Sequence, residues 1–168
     1  ILVSRTSTGL VKKLFENEVP EIKSGIVQVK AVAREAGQRT KIAIYSEDPQ
    51  IDPIGTCVGP KGVRVNAIVV ELGGEKIDII PWSENPLEFI AKALSPAKVL
   101  KVYALSETEN TARAIVPDDK LSLAIGRDGQ NARLAVRLTG WKIDVKSESS
   151  VMEDEPAEEE ADGNANEQ

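Results

Sequence analysis

The period with which apolar residues recur changes several times along this chain, and the changes come in the same order twice. Leu10, Val11, Leu14, Phe15 and Val19 repeat at helical spacing behind Thr6 to Thr8 as capping residues, and Pro20 stops that helix. From Ile26 to Arg34 the period falls to two, which places Val27, Val29, Ala31 and Ala33 on one face of a predicted strand. Ala36-Gly37 turns the chain into a second β-rich run, Thr40 to Tyr45. Asp52-Pro53 then caps and opens a short helix to Val58, and a Gly-x-x-Gly loop follows at Gly59 to Gly62. Val65, Ile68, Val69 and Leu72 form the apolar stripe of the next helix, which Gly73-Gly74 ends before a strand at Lys76 to Ile80.

Pro81-Trp-Ser-Glu-Asn-Pro86 suits neither period, and after it the order begins again. Leu87 to Leu94 reads as a helix, broken at Ser95-Pro96, and Val99 to Leu105 and Thr111 to Val116 read as strands around a polar turn. Pro117-Asp118-Asp119 opens a short helix, Gly126 to Gly129 is a second Gly-x-x-Gly loop, and Asn131 to Leu138 is a helix before the last strand, Trp141 to Lys146. Each copy carries an aspartate seven residues before the loop (Asp52, Asp119), an aliphatic residue just before it (Val58, Ile125) and a closing Lys-Ile-Asp that begins at Lys76 or Lys142. The loop-to-lysine spacing is one residue shorter in the second copy. Self-similarity of this kind marks two copies of one supersecondary unit, here α-β-β-α-loop-α-β. The reading is therefore an α+β chain with one domain over residues 1–81 and another over 82–146. Domains this small have lean cores, so packing between the copies is expected to matter for stability.

Charge changes the picture more by its placement than by its sum of −6. All 21 Lys and Arg lie at or before Lys146, whereas nine of the 27 acidic residues lie from Ser147 onward. The body is thus weakly basic, and the segment 147–168, acidic and almost without apolar residues, is expected to be a disordered tail that competes with polyanions for the basic surface.

A chain with no histidine and one cysteine has no disulfide framework and no Cys/His zinc site, so no metal or other cofactor is expected. Cys57 lacks a histidine base and its counterpart in the second copy is Ala124, which suits a packed small residue better than a nucleophile. Gly55 to Gly62 has the glycines and lysine of a phosphate-binding loop, but Lys61 follows Pro60 and no Ser or Thr follows Lys61. Glu71, Glu75 and Asp78 read as solvated charges without paired geometry, and the chain is expected not to be an enzyme. A reducing, cytoplasmic setting fits, and no apolar run approaches the roughly 20 residues that span a bilayer.

The loops themselves suggest a different chemistry. Glycine permits positive φ and lets another chain come close, and the helix that follows offers unpaired N–H groups and a positive dipole end to an anion. Lys61 and Arg64 beside Gly59-Pro60 and Gly62, and Arg127, Arg133 and Arg137 beside Gly126 and Gly129, add attraction for phosphates. Asp128 inside the second loop opposes them, so the first is expected to be the stronger phosphate grip.

Val58-Gly-Pro-Lys-Gly-Val-Arg-Val65, Glu75-Lys-Ile-Asp-Ile-Ile80, Leu121-Ser-Leu-Ala-Ile-Gly-Arg-Asp-Gly-Gln-Asn-Ala-Arg-Leu134 and Leu138-Thr-Gly-Trp-Lys-Ile-Asp144 resemble the tandem KH domains of the bacterial NusA transcription factors, a likeness that extends over residues 1–146. The resemblance implies three helices on a mixed three-stranded sheet in each domain, of the prokaryotic (type II) KH kind, and single-stranded RNA clamped at the Gly-x-x-Gly loops. It implies one RNA path over both loops, bases on a floor of Val58 and Val65 or of Ile125, and further contacts from Lys76, Gln130, Asn131 and Lys142. It further implies a monomeric fragment of a factor acting on the nascent transcript during pausing, termination and antitermination, with RNA polymerase as the partner of the complete protein. The rival reading is a protein-interaction or structural KH module, since aromatic residues are too few for stacking platforms. Trp82 and Trp141 read as packing residues at the domain joint and sheet rather than as base stackers.

Overall fold

The computed structural model describes residues 7–154. Thr6 as a cap and the segment 155–168 lie outside them. In the first unit, α1 (Thr8–Glu18) is capped by Ser7, whose Oγ accepts from the Gly9 amide at 3.0 Å. Pro20 both ends α1 and opens α2 (Pro20–Lys23), because a proline is tolerated where the helix has no amide to lose. β1 (Gln28–Glu35) and β2 (Arg39–Tyr45) form an antiparallel hairpin. α3 (Pro53–Val58), a 3-10 turn (Pro60–Gly62) and α4 (Val63–Glu71) carry the chain over the sheet to β3 (Lys76–Pro81), which lies parallel to β2.

The second unit repeats this with α5 (Pro86–Ala93), β4 (Lys101–Ser106), β5 (Thr111–Val116), α6 (Leu121–Ile125), a 3-10 turn (Arg127–Gly129), α7 (Gln130–Thr139) and β6 (Lys142–Ser147). Each sheet is three-stranded and mixed, in the orders β1-β2-β3 and β4-β5-β6. This is the α+β arrangement that the repeated pattern and the resemblance lead one to expect.

The expectation of one uniform face on β1 needs correction. A bulge between Val29 and Ala31 shifts the alternation, as an extra residue in one strand does. Val27 and Val29 pack with Val11, Phe15, Ile42, Ile44 and Ile68 in the first unit's own core. Ala31 and Ala33 instead pack with Ala43, Ile80, Phe89, Leu94, Leu134 and Leu138, a core built from the first sheet and from α5 and α7 of the second unit. The first sheet is therefore the middle layer of the molecule, with helices from each copy on its two faces. Trp82 packs on this shared core and meets Tyr45 edge to face, with ring centroids 5.2 Å apart.

Charged side chains inside the first sheet correct a second expectation. Glu75 is 1% exposed and takes Arg34 Nε at 3.0 Å, the Gly37 amide at 2.7 Å and the Thr40 hydroxyl at 2.5 Å. Asp78 accepts from Arg39 and from the buried Lys41, whose Nζ also donates to the Ser95 carbonyl at the end of α5, at 2.7 Å. Burial pushes the Lys41 pKa down to about 8 against the attraction of Asp78, so the ammonium is still largely charged near neutrality. Single-residue spacing cannot announce such pairs, because their partners lie far apart in sequence.

Secondary structure continues past Lys146. Ser147 is the last residue of β6 and α8 (Glu148–Asp154) turns back over the second sheet. Val151 is 7% exposed there, and the Ser149 amide donates to Asp118 Oδ1 at 3.0 Å. One apolar residue landing on the sheet, together with that hydrogen bond, extends the ordered chain past Lys146. No helix among the described residues is long and apolar enough to cross a membrane.

Candidate nucleic-acid interface

The two Gly-x-x-Gly loops have the same backbone. Gly59 and Gly126 adopt φ/ψ of 76/170° and 79/171°, Lys61 and Asp128 adopt 55/26° and 55/25°, and Gly62 and Gly129 adopt 75/15° and 75/12°. The first glycine of each loop occupies a region that only glycine enters readily. A Cβ on Gly126 would stand 2.7 Å from both the amide nitrogen and Cβ of Asn131, and one on Gly59 would stand 2.8 Å from Arg64 Cγ. Gly126→Ala is accordingly expected to destabilise the protein by at least about 2 kcal/mol, strained backbone alone costing roughly 1–3. Urea unfolding measures it, and a change below about 0.5 kcal/mol would show that the loop relaxes freely.

α4 and α7 start directly from the second glycine of each loop; no side chain caps them, and the amides of Val63 and Gln130 donate back to the Pro60 and Arg127 carbonyls. The positive dipole end of each helix is the anion-favouring part of the site. Pro60 and Lys61 are exposed beside the first loop, Arg127 and Asp128 beside the second, and Val58, Val65 and Ile125 are half-buried on their flanks. Left-handed φ suits aspartate better than lysine, so Asp128 has a backbone reason for its place whereas Lys61 holds the same conformation at some strain. Lys76 and Lys142 stand exposed at the first positions of β3 and β6. The Lys76 amide donates to the Gln38 carbonyl at 3.2 Å, which sets Lys76 near the joint between the units.

Two residues expected at the interface are turned inward. Arg64 donates through Nη1 to Glu21 at 3.0 Å and to the Thr56 carbonyl at 2.9 Å, tying α4 to α2 and α3. Asn131, its counterpart in the repeat, is fully buried and donates through Nδ2 to the carbonyls of Leu94 and Ala124 at 3.0 and 2.8 Å. Both brace the loop from beneath its first glycine, and Asn131 has no surface to offer RNA. Superposing the copies in sequence brings Arg64 onto Asn131, so the repeat held the signal for this shared bracing position.

The remaining second-loop residues meet the first unit. Gln130 Nε2 donates to Glu35 and to Gln38 Oε1, each at 2.7 Å, and Arg133 donates through Nε to Glu35 and through Nη1 to the Asp128 carbonyl at 3.1 Å. Arg137 stands 3.8 Å from the same Glu35 carboxylate. The hydrogen bonds from Arg133 and Gln130 hold the Glu35 carboxyl below its ordinary pKa. A cleft of about 710 Å³ opens here between the β1–β2 turn and the second loop, lined by Glu35, Ala36, Gln38, Arg127, Asp128, Gln130 and Arg133. Glu35 escaped the sequence reading because its partners lie far along the chain.

Cys57 is buried and its thiol is pushed up to about 12, first by burial and then by Glu21, so it stays protonated and packs as a small core residue. Among the described residues no group of His, Cys, Asp and Glu is placed to hold a metal ion.

Comparison with known proteins gives this geometry a family. The model of the NusA-like first KH domain matches residues 5–82 and that of the NusA-like second KH domain matches residues 86–153. Proteins named transcription termination/antitermination protein NusA are similar to the chain. That of Halalkalibacterium halodurans is 63% identical over 91% of this chain and 40% of its own length, and that of Bacillus subtilis 63% over 91% and 41%. That of Thermus thermophilus is 52% identical over 85% of this chain and 37% of its own length. The chain thus spans about two fifths of the curated relatives it matches. A solved structure, the crystal structure of APE1850, superposes with a TM-score of 0.56 at 18% identity over 82% of this chain and 96% of that one, a likeness of fold.

Proposed function

Because this chain belongs to the NusA-like family of tandem KH domains, we propose that it binds single-stranded RNA along one path over both Gly-x-x-Gly loops, as the RNA-reading part of a transcription termination/antitermination factor. The observation that carries this reading is the pair of loops with one shared backbone, each opening a helix whose first amides have no side-chain acceptor. Such a loop clamps about four nucleotides of backbone, so two in series take a longer strand than either alone. Lys61 and Arg127 approach the phosphates, while Val58, Val65 and Ile125 offer apolar surface to the bases. Lys76 and Lys142 extend the basic edge, and the braced Arg64 and Asn131 hold the loops in shape. The strand is the nascent transcript, and RNA polymerase is the partner of the longer protein, in the bacterial cytoplasm. The chain works as a monomer without catalysis of its own.

Affinity for single-stranded RNA is expected to fall steeply with salt, with a slope of log K against log salt near −0.7 for each phosphate contacted and hence about −2 to −4 in total. Fluorescence anisotropy of labelled RNA across a salt series measures it. Absence of RNA binding at low salt would favour the protein-interaction reading instead.

A further inference from the structure

We propose that Glu35 is an intramolecular stand-in for an RNA phosphate, and that the cleft between the β1–β2 turn and the second loop is a nucleotide site that opens when a phosphate displaces it. The proposal rests on the RNA reading above and assigns a site between its two loops.

Glu35 belongs to the first unit, yet its carboxylate is occupied by second-unit donors: Arg133 Nε, Gln130 Nε2 at 2.7 Å and the nearby Arg137 guanidinium at 3.8 Å. Arg133 and Arg137 are separated by one helical turn on α7 and converge on one anion, which is the way a pair of arginines takes a phosphate. The Glu35 side chain is 14% exposed, while Arg133 and Arg137 remain 43% and 53% exposed, so an incoming strand reaches the cations more readily than the acid that holds them. The cleft beside them has room for a nucleotide. Its walls carry the amide groups of Gln38 and Gln130, bonded to one another, and Gln130 Nε2 gains a donor position for a base edge once it releases Glu35. Asp128 and Glu35 together offset two of the three arginine charges at the second loop, and removal of Glu35 from the arginines restores one of them. RNA binding and the Glu35 contact are thus alternatives for the same donors, and the affinity of the second loop is set by their competition.

The test is the isosteric Glu35→Gln, measured by anisotropy with a labelled single-stranded RNA of about 12 nucleotides, long enough to cover both loops. The expected result is three- to tenfold tighter binding than wild type near 0.1 M salt, with a salt slope steeper by about 0.7, one extra phosphate's worth. The same substitution made in an Arg133→Gln/Arg137→Gln background is expected to give no gain, since the donors it would release are absent. Circular dichroism melts confirm that each variant is folded. Binding that is unchanged or weaker in Glu35→Gln, with an unaltered slope, overturns the proposal while leaving the RNA reading intact; so does a gain that persists without the two arginines. Failure of the wild-type protein to bind RNA overturns both.

Discussion

Replacement of Pro60 and Lys61 by aspartate is expected to lower affinity for single-stranded RNA at least tenfold near 0.1 M salt, with little change in melting temperature. The effect on binding follows from a reversal of charge at the mouth of the first loop, where Lys61 is exposed beside the positive dipole end of α4. Loss of one phosphate contact flattens the salt slope by about 0.7, and two carboxylates at the same place add repulsion. The fold should survive because the second loop keeps the same backbone with aspartate in place of lysine and without proline. Asp128 adopts the backbone of Lys61 within a degree in φ and ψ, and Arg127 occupies the place of Pro60, so that conformation requires neither lysine nor proline. Equal RNA affinity in the variant and the wild type would remove the first loop from the RNA path.

Glu75→Gln is expected to destabilise the protein by about 3 kcal/mol, the cost of leaving a buried ion without its partner. The Arg34 side chain is 4% exposed and makes both its Nε and Nη2 bonds to Glu75, so the variant strands a guanidinium in the first sheet. Urea unfolding at pH 7 measures the loss, and a change under 1 kcal/mol would mean that water reaches Arg34 in the variant. Acidity offers a second check. Burial by itself raises the Glu75 pKa, but the bonds from Arg34, Thr40 and Gly37 outweigh it and hold the group below the ordinary carboxylate value. A carboxylate with a lowered folded pKa contributes its stabilisation above the unfolded value and loses it as pH falls through the folded one. Wild type should therefore lose stability below about pH 4.5, and Glu75→Gln should lose less over the same range.

What the sequence disclosed and what it withheld divide along physical lines. Helices, strands and loops were legible because their signals are local: Leu10 to Val19 keeps one period, and glycines mark both loops. The sequence also held the duplication, and with it the common position of Arg64 and Asn131, although their bracing role needed a view of what lies under the first glycine. The bulge after Val29 was hidden because a register shift is a property of two strands, and it reassigned Ala31 and Ala33 to another core. Glu75 and Asp78 looked like solvent charges, and Glu35 drew no notice, because each finds its cation on a different strand or in the other copy. α8 was masked by its acidic composition, which outweighs a single valine in any average.

The shared core has a consequence for how such a molecule can change over generations. Duplicated modules commonly remain portable, able to be lost, multiplied or exchanged between proteins. Here Ala33, Ala43 and Ile80 of the first copy pack on α5 and α7 of the second, so excision of the second copy would bare an apolar sheet face and excision of the first an apolar helix face. The two halves are poorly suited to separate exchange, and a substitution that reshapes α5 or α7 also tests its fit against β1 to β3.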